Sequence, residues 1–326
     1  MYFRSSNLRP RLIALCILSA AMSYKAISSQ DPSDANSRQN SQLPASISDQ
    51  TYRVSVDLVN VLCSVYDKNT NSFVTSLMQG DFSIFEDDQE QEIKNFARET
   101  DLPLTIAMLI DTSRSVGPKL KFEQDAATSF FQTILRESDR AMLVEFDSGV
   151  TMVQDFTNDP NKLAKGIKKL KAAGGTALYD AIHITCDEKL IRETGRKALI
   201  ILSDGEDESS NMNLDQATEM ALRAEATIFA ISISKGGFFG VGGSEKGDSI
   251  LEDLAKETGG RIFFPFKIED LDDAFRQINQ ELRSQYSIGY LSTNPARDGS
   301  FRKIKIEVSE KGLRLNHRKG YFSPKG

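Results

Sequence analysis

The sequence predicts an α/β protein: a doubly wound, mainly parallel sheet with helices on both faces, joined to a small all-β sandwich built from N- and C-terminal segments. Three observations carry this. Between residues 104 and 284, short apolar runs alternate with stretches of helical period, the pattern of a parallel sheet covered by helices. On both sides of that region the hydrophobic period is two, which is the strand signal. Each flank is too short to close a core alone, so the economical arrangement has both flanks share one sandwich. Two separate β appendages are the alternative.

Taken in order, the chain starts with Arg4, Arg9 and Arg11 ahead of an apolar run, residues 12–22. A basic stretch followed by an apolar core of about eleven residues is the pattern of a secretory signal, here residues 1–29. An uncleaved anchor is the alternative, although the run is short for a membrane-spanning helix. Cys16 sits inside the apolar core rather than after it, which argues against lipoprotein cleavage there. Residues 30–50 are rich in Ser, Asp, Asn, Gln and Pro and read as a disordered linker. Residues 51–100 form the first part of the sandwich. Val54, Val56 and Leu58 alternate with Ser55 and Asp57, and Val59, Val61, Cys63 and Val65 recur at period two on the next run. Residues 73–77, 82–85 and 93–96 read as further short strands.

The α/β region spans residues 101–287. Its strands are expected at 104–110, 141–146, 150–156, 197–202, 227–233 and 261–264. Ser148-Gly149 between the second and third of these implies an antiparallel hairpin at the sheet edge. Helices are expected at 118–137, with Phe122, Ala126, Phe130 and Ile134 on one face, and at 159–170, 177–192, 214–225, 249–258 and 268–284. Period two returns in residues 288–326, the second part of the sandwich.

Composition narrows the function. The 326 residues suit two domains of ordinary size. Net charge is −6, and removing the first thirty residues, which hold four cations and no acid, leaves −10. An acidic chain without a basic block excludes a nucleic-acid partner. Cys63 and Cys186 fall in different predicted domains and read as buried free thiols rather than a disulfide framework. Enzymatic signatures are poor. The two histidines, His183 and His317, fall within a helix and in the β tail, and no Gly-x-Ser-x-Gly elbow is present.

The chemistry gathers at strand ends. Asp111, Ser113 and Ser115 directly follow the run 104–110. Thr176 follows Gly174-Gly175, and Asp204 follows the apolar run 197–202. In an open α/β sheet ligands bind beyond the carboxyl ends of the strands. Oxygen donors from hydroxyls and carboxylates suit a hard cation such as Mg²⁺, with Mn²⁺ or Ca²⁺ as alternatives.

This constellation resembles the von Willebrand factor type A domain and its metal-ion-dependent adhesion site, over about residues 101–287, with all five positions present and in order. The flanks, with Asp81-Phe82, Phe85-Glu86-Asp87 and the closing Gly320-Tyr321, are similar to secreted bacterial proteins related to that family. The resemblance implies direct ligation by Ser113 and Ser115. It implies direct or water-mediated ligation by Thr176, and action largely through bound water for Asp111 and Asp204. It also implies an open metal position for a partner's Asp or Glu, and coupling of metal coordination to movement of the last helix. The function it implies is a secreted or periplasmic, cell-envelope module that binds protein and is not an enzyme. A domain that has lost its metal, a metal-dependent hydrolase and an envelope component with a merely stabilising metal are the alternatives.

Three further features are left open by the residues themselves. Arg114 either favours an acidic partner or is simply solvated. Phe238 and Phe239, in the Gly-rich loop 235–244, either offer a partner an apolar contact or pack locally. Glu206-Asp207-Glu208 is either a solvated loop or a second cation site.

Overall fold

The computed structural model describes residues 58–98, 102–234 and 245–326. The expected signal segment and linker, and Phe238 and Phe239, lie outside the described residues. Four strands come first: β1 (Leu58–Asp67), β2 (Phe82–Glu86), β3 (Gln89–Gln91) and β4 (Ile93–Arg98). The α/β region follows, with β5 (Leu104–Asp111), α1 (Leu120–Ile134), β6 (Arg140–Phe146), β7 (Val150–Thr157), α2 (Pro160–Ile167) and α3 (Leu178–Glu188). It continues with β8 (Arg196–Ser203), α4 (Leu214–Arg223), β9 (Ala226–Ser232), α5 (Glu245–Thr258), β10 (Ile262–Phe263) and α6 (Ile268–Leu282). The chain closes with β11 (Tyr286–Leu291), β12 (Phe301–Val308), β13 (Leu313–His317) and β14 (Gly320–Phe322).

The central sheet has the order β10-β9-β8-β5-β6-β7. All its neighbours run parallel except β6 and β7, which form the expected antiparallel hairpin. From β5 the chain first builds outward through β6 and β7, then returns to build β8, β9 and β10 on the other side. The order therefore reverses between β5 and β8, where the crevice of a doubly wound sheet opens. Every residue of β5 and of β8 is buried, which accounts for their near-continuous apolar composition. One face of the sheet packs against α1, α2 and α6 through Phe130, Phe131, Leu163, Phe275 and Ile278. The other packs against α3, α4 and α5 through Leu178, Ile182, Ala221, Leu251 and Leu254.

The two flanks fold into one sandwich. Its sheets have the orders β13-β1-β11-β4 and β14-β12-β2-β3, so each sheet takes two strands from each flank. Val61, Cys63, Ile84, Tyr286, Ile288, Tyr290, Ile304 and Ile306 share its core. Cys63 lies in this core and Cys186 in the α/β core, both buried and free. At the centre of the sandwich, Glu86 accepts hydrogen bonds from Tyr290 Oη (2.8 Å), Tyr321 Oη (2.9 Å) and Ser292 Oγ (2.6 Å). Arg302 pairs with it at 3.3 Å, with both side chains almost wholly buried. Arg318 joins sandwich to α/β region, donating to Asn60 O (2.7 Å) and pairing with Glu225 (3.2 Å).

Several elements differ from the sequence expectation. Residues 73–77 form no strand. Phe73 makes a single bridge to Tyr66, and the Tyr286 hydroxyl takes over the role of a ladder by donating to Val74 O and accepting from Leu77 N. Helix α1 stops at Ile134, short of residue 137, because Arg283 Nη2 captures the Ile134 carbonyl and Asp139 accepts from Arg136 N. The α1 face also differs: Phe122 is half-buried, while Leu120, Glu123, Ala127 and Phe131 point inward with Ala126, Phe130 and Ile134. Helix α6 leads almost directly into β11, and its last turn is pinned. Glu281 pairs with Arg261 at 2.9 Å, and the guanidinium of Arg196 donates to Leu282 O. Among the described residues no helix is long and apolar enough to cross a membrane.

Two stability measurements follow from the sandwich. Glu86→Ala strands the Arg302 guanidinium in the core, and loss of one partner of a buried pair costs about 3–5 kcal/mol; urea denaturation of the full chain reads this directly. His317 is buried, with Nδ1 2.8 Å from Arg318 O, and desolvation pushes its pKa down to about 4. The folded imidazole resists a proton that the unfolded one accepts near its ordinary value of about 6.5. Stability is therefore highest above that value and falls as the pH drops from there toward 4, by up to about 3 kcal/mol. His317→Gln is expected to flatten this part of the pH–stability curve.

Candidate functional site

The strand register brings the predicted residues together. Ile110 lies opposite Leu202 across the β5–β8 pair, so Asp111 and the Ser203-Asp204 pair leave adjacent strand ends on the same edge. Asp111 is fully buried and held through both oxygens: Oδ1 accepts from Ser113 N (2.9 Å) and Oδ2 from Ser203 Oγ (2.8 Å). The chain then turns through residues 114–116 toward α1. Ser115 Oγ donates to Asp204 Oδ2 (2.9 Å), and Ser113 Oγ lies 2.9 Å from Ser115 Oγ. Asp204 Oδ1 accepts from Glu206 N at 3.2 Å. Four of the five predicted residues thus form a continuous network of hydroxyls and carboxylates across two loops.

Thr176, buried at the start of α3, joins through its backbone. Its carbonyl accepts from Glu208 N (3.0 Å) and Ser209 N (2.9 Å) of the β8–α4 loop. The same segment is tied to the β5 loop where Ala173 N donates to Thr112 O (2.7 Å). Gly175 N donates to Ser148 Oγ (2.7 Å), linking it to the β6–β7 turn as well. The Thr176 loop is therefore stitched to the loops carrying the other four residues.

Arg114 is exposed at the rim. The acidic run behaves differently from a cation site. Asp207 accepts from Tyr179 N (3.1 Å) at the start of α3 and from Ser210 Oγ (2.6 Å), while Glu206 and Glu208 are exposed. Among the described residues no group of three or more His, Cys, Asp or Glu is arranged to hold a metal. The donor set of the crevice is instead mixed hydroxyl and carboxylate, the hard oxygen chemistry that suits Mg²⁺ or Ca²⁺.

Electrostatics set the crevice apart. Burial pushes the Asp111 carboxyl up to about 6, against hydrogen bonds from Ser113 and Ser203, and the charge of Asp204 adds to the rise. Two residues here were not singled out by the sequence. Ser203 follows the apolar stretch 198–202 at the end of β8 and clamps Asp111; its position directly after that stretch is the signal in the sequence. Glu123 lies on the inner face of α1 and is 1% exposed. Neither of its carboxylate oxygens has a hydrogen-bond partner among the described residues. Burial raises its pKa well above the usual range; the charges of Asp111 and Asp204 add to the rise and Lys119 opposes it. Its signal was an acid at helical spacing from Ala126, Ala127, Phe130 and Ile134.

The Asp204 loop depends on a close backbone approach. Gly205 has φ +79°, and a Cβ there would lie 2.1 Å from Gly247 O in the first turn of α5. A Cβ on Gly247 would lie 2.2 Å from Asp204 O. Only glycine fits at either point.

A family model described as von Willebrand factor type A domain matches residues 106–206. Over these residues the chain is similar to that family. The matched segment begins inside β5 and ends just past Asp204, so the loops that carry Asp111, Ser148 and Thr176 fall within it, with the start of the Asp204 loop. An uncharacterized protein of Synechocystis sp. is 26% identical over 185 residues, covering 56% of this chain and 42% of that protein. One of Borreliella burgdorferi is 24% identical over 222 residues, covering 64% of this chain and 62% of its own length. The chain thus spans less than two thirds of each relative. Among solved structures, a von Willebrand factor type A protein from Catenulispora acidiphila has a TM-score of 0.46 at 14% identity, covering 75% of this chain and 74% of its own. The type A domain of the pilus tip protein Mfa5 from Porphyromonas gingivalis has a TM-score of 0.44 at 16% identity, covering 55% and 94%. Proximal thread matrix protein 1 from the mussel byssus, with zinc in its metal-ion-dependent adhesion site, has a TM-score of 0.48 at 16% identity, covering 60% and 49%.

The Gly205–Gly247 contact is open to direct test. Gly205→Ala forces a left-handed backbone onto a Cβ and a clash with backbone, and is expected to cost about 2–4 kcal/mol. The midpoint of urea denaturation measures this.

Proposed function

We propose that this chain is a secreted or cell-envelope module that binds a protein partner through a divalent cation, with no catalytic turnover. The observation that carries the reading is the hydrogen-bonded chain Ser113–Ser115–Asp204, set beside the Ser203-clamped Asp111 at the β5–β8 switch point. Its residues fit a cation. The donors are hard oxygens from hydroxyls and carboxylates. The charge of Asp204 raises the cost of charge on Asp111, which a positive ion offsets. Ser113, Ser115 and Thr176 would hold the ion by their hydroxyls, with Asp111 and Asp204 supporting it largely through bound water. Bound there, the ion would supply a Lewis-acidic position for an Asp or Glu of the partner. Mg²⁺ is the first choice because it retains waters that a partner carboxylate can displace, with Mn²⁺ and Ca²⁺ as alternatives.

The chain's own residues support docking over reaction. Asp111 is immobilised through both oxygens and sealed from solvent, unlike a general base that must reach a substrate. His317 is committed to the sandwich core. Arg114 stands exposed at the rim, where its charge would draw an acidic partner; Phe238 and Phe239 are proposed as the apolar part of the contact.

Capture of a partner from envelope extracts by the full chain, with Mg²⁺ against EDTA, tests this. Capture is expected to fall at least about tenfold with EDTA and with Asp111→Ala, as for loss of a ligand or its immediate support. Capture that is indifferent to both sinks the reading. Metal-dependent turnover of an ester, phosphate or peptide, abolished by Asp111→Ala, would establish the hydrolase alternative instead.

A further inference from the structure

A carboxylate with nothing to bond to is buried next to the crevice. Glu123 lies in the first turn of α1, 1% exposed, and neither Oε1 nor Oε2 has a hydrogen-bond partner among the described residues. Its neighbours on the helix are all accounted for. Gln124 donates to Ile167 O (2.9 Å) and Leu170 O (3.1 Å), and Asp125 pairs with Lys121 at the surface at 2.7 Å. A buried acid without partners is costly, and native proteins show such a group where an ion or other charge completes it.

The fold determines which charge is within reach. A helix that follows a parallel strand runs back along the sheet, so its first turn sits at the strand's carboxyl end. For α1 that is the β5 end, and only the turn containing Ser115 separates it from Asp111. Lys119, at the start of α1, reaches across to donate to Ile233 O just past β9, so its ammonium lies at the carboxyl ends of the strands. Asp111, Asp204 and Lys119 are the charged groups that act on Glu123. Glu123 therefore feels the charge of two carboxylates and one ammonium group, and that ammonium is anchored to a backbone carbonyl.

We propose that Glu123 is a sixth acidic or hydroxyl residue of the cation site, holding the ion by its charge and through ion-bound water from beneath Asp111 and Asp204. This rests on the cation reading above. It assigns Glu123 to a set that the motif positions do not include, and it explains why a carboxylate occupies the apolar face of α1. Its role is that of a positioning residue, and replacing such outer partners of a metal site costs about 10–100-fold in affinity.

Calorimetric titration of the full chain with MnCl₂ and MgCl₂, together with thermal melts in EDTA, tests the assignment. Glu123→Gln keeps the shape and removes the charge. Its affinity for Mn²⁺ is expected to fall at least about tenfold, while its melting temperature in EDTA rises, because a buried carboxylate without a hydrogen-bond partner is gone. Glu123→Asp, which keeps the charge, is expected to bind more tightly than Glu123→Gln, and it carries the test should Glu123→Gln not fold. A purely structural glutamate gives the opposite pattern: both variants melt lower in EDTA and bind Mn²⁺ within twofold of the parent, which overturns the assignment. If the parent chain binds neither ion, the cation reading itself fails, and this inference with it. If the parent binds and Glu123→Gln binds equally, only this inference fails.

Discussion

The parallel pairing of β5 with β8 is the constraint on which the rest depends. Both strands are buried along their whole length, so their pairing is held from both faces by packed helices and cannot slip without exposing a core. Burial carries one consequence to the strand ends. Asp111 arrives at the edge of the sheet desolvated, and Ser203 arrives beside it to bond it. A carboxylate in such a place is costly alone and useful in company. The hydroxyls of Ser113 and Ser115 and the carboxylate of Asp204 complete that company from two loops.

The sandwich solves a different problem. Neither flank has enough apolar surface to close a core, and the solution is to share both sheets: one alternates strands of the two flanks, and the other joins them at the β12–β2 pair. The joint has to be strong because the halves are separated by the whole α/β region. Glu86, Tyr290, Ser292, Arg302 and Tyr321 form one buried polar network whose members come from both flanks. Satisfied on this scale, such a network specifies one arrangement of strands. The pinned last turn of α6 makes the link between the α/β region and the sandwich a packed one. Displacement of this helix would have to break a buried ion pair.

Much of this was legible in the residues. Alternation of apolar runs with helical stretches is a direct consequence of a sheet covered on both faces, so the doubly wound architecture, the β6–β7 hairpin and the shared sandwich could be expected before any coordinates. Misreadings arose where distant groups replace local ones. Residues 73–77 have the composition of a strand, yet a tyrosine hydroxyl from β11 takes Val74 O and Leu77 N in place of a ladder. Helix α1 ends early because Arg283, which is remote in sequence, takes its last carbonyl. Glu123 is not legible in the sequence, because an acid in a helix is ordinarily solvated and only packing shows which face it is on.

The sequence by itself determined the period of every major element and the order of Asp111, Ser113, Ser115, Thr176 and Asp204 at strand and helix ends, since periodicity and turn chemistry are local. Tertiary structure alone decided that β5 and β8 are neighbours in register, that Ser115 bonds Asp204 and Ser203 bonds Asp111, and that Glu123 lies buried without a partner. Those facts depend on which surfaces meet. Burial then alters the charge and the hydrogen bonding of a side chain whose letter in the sequence is unchanged.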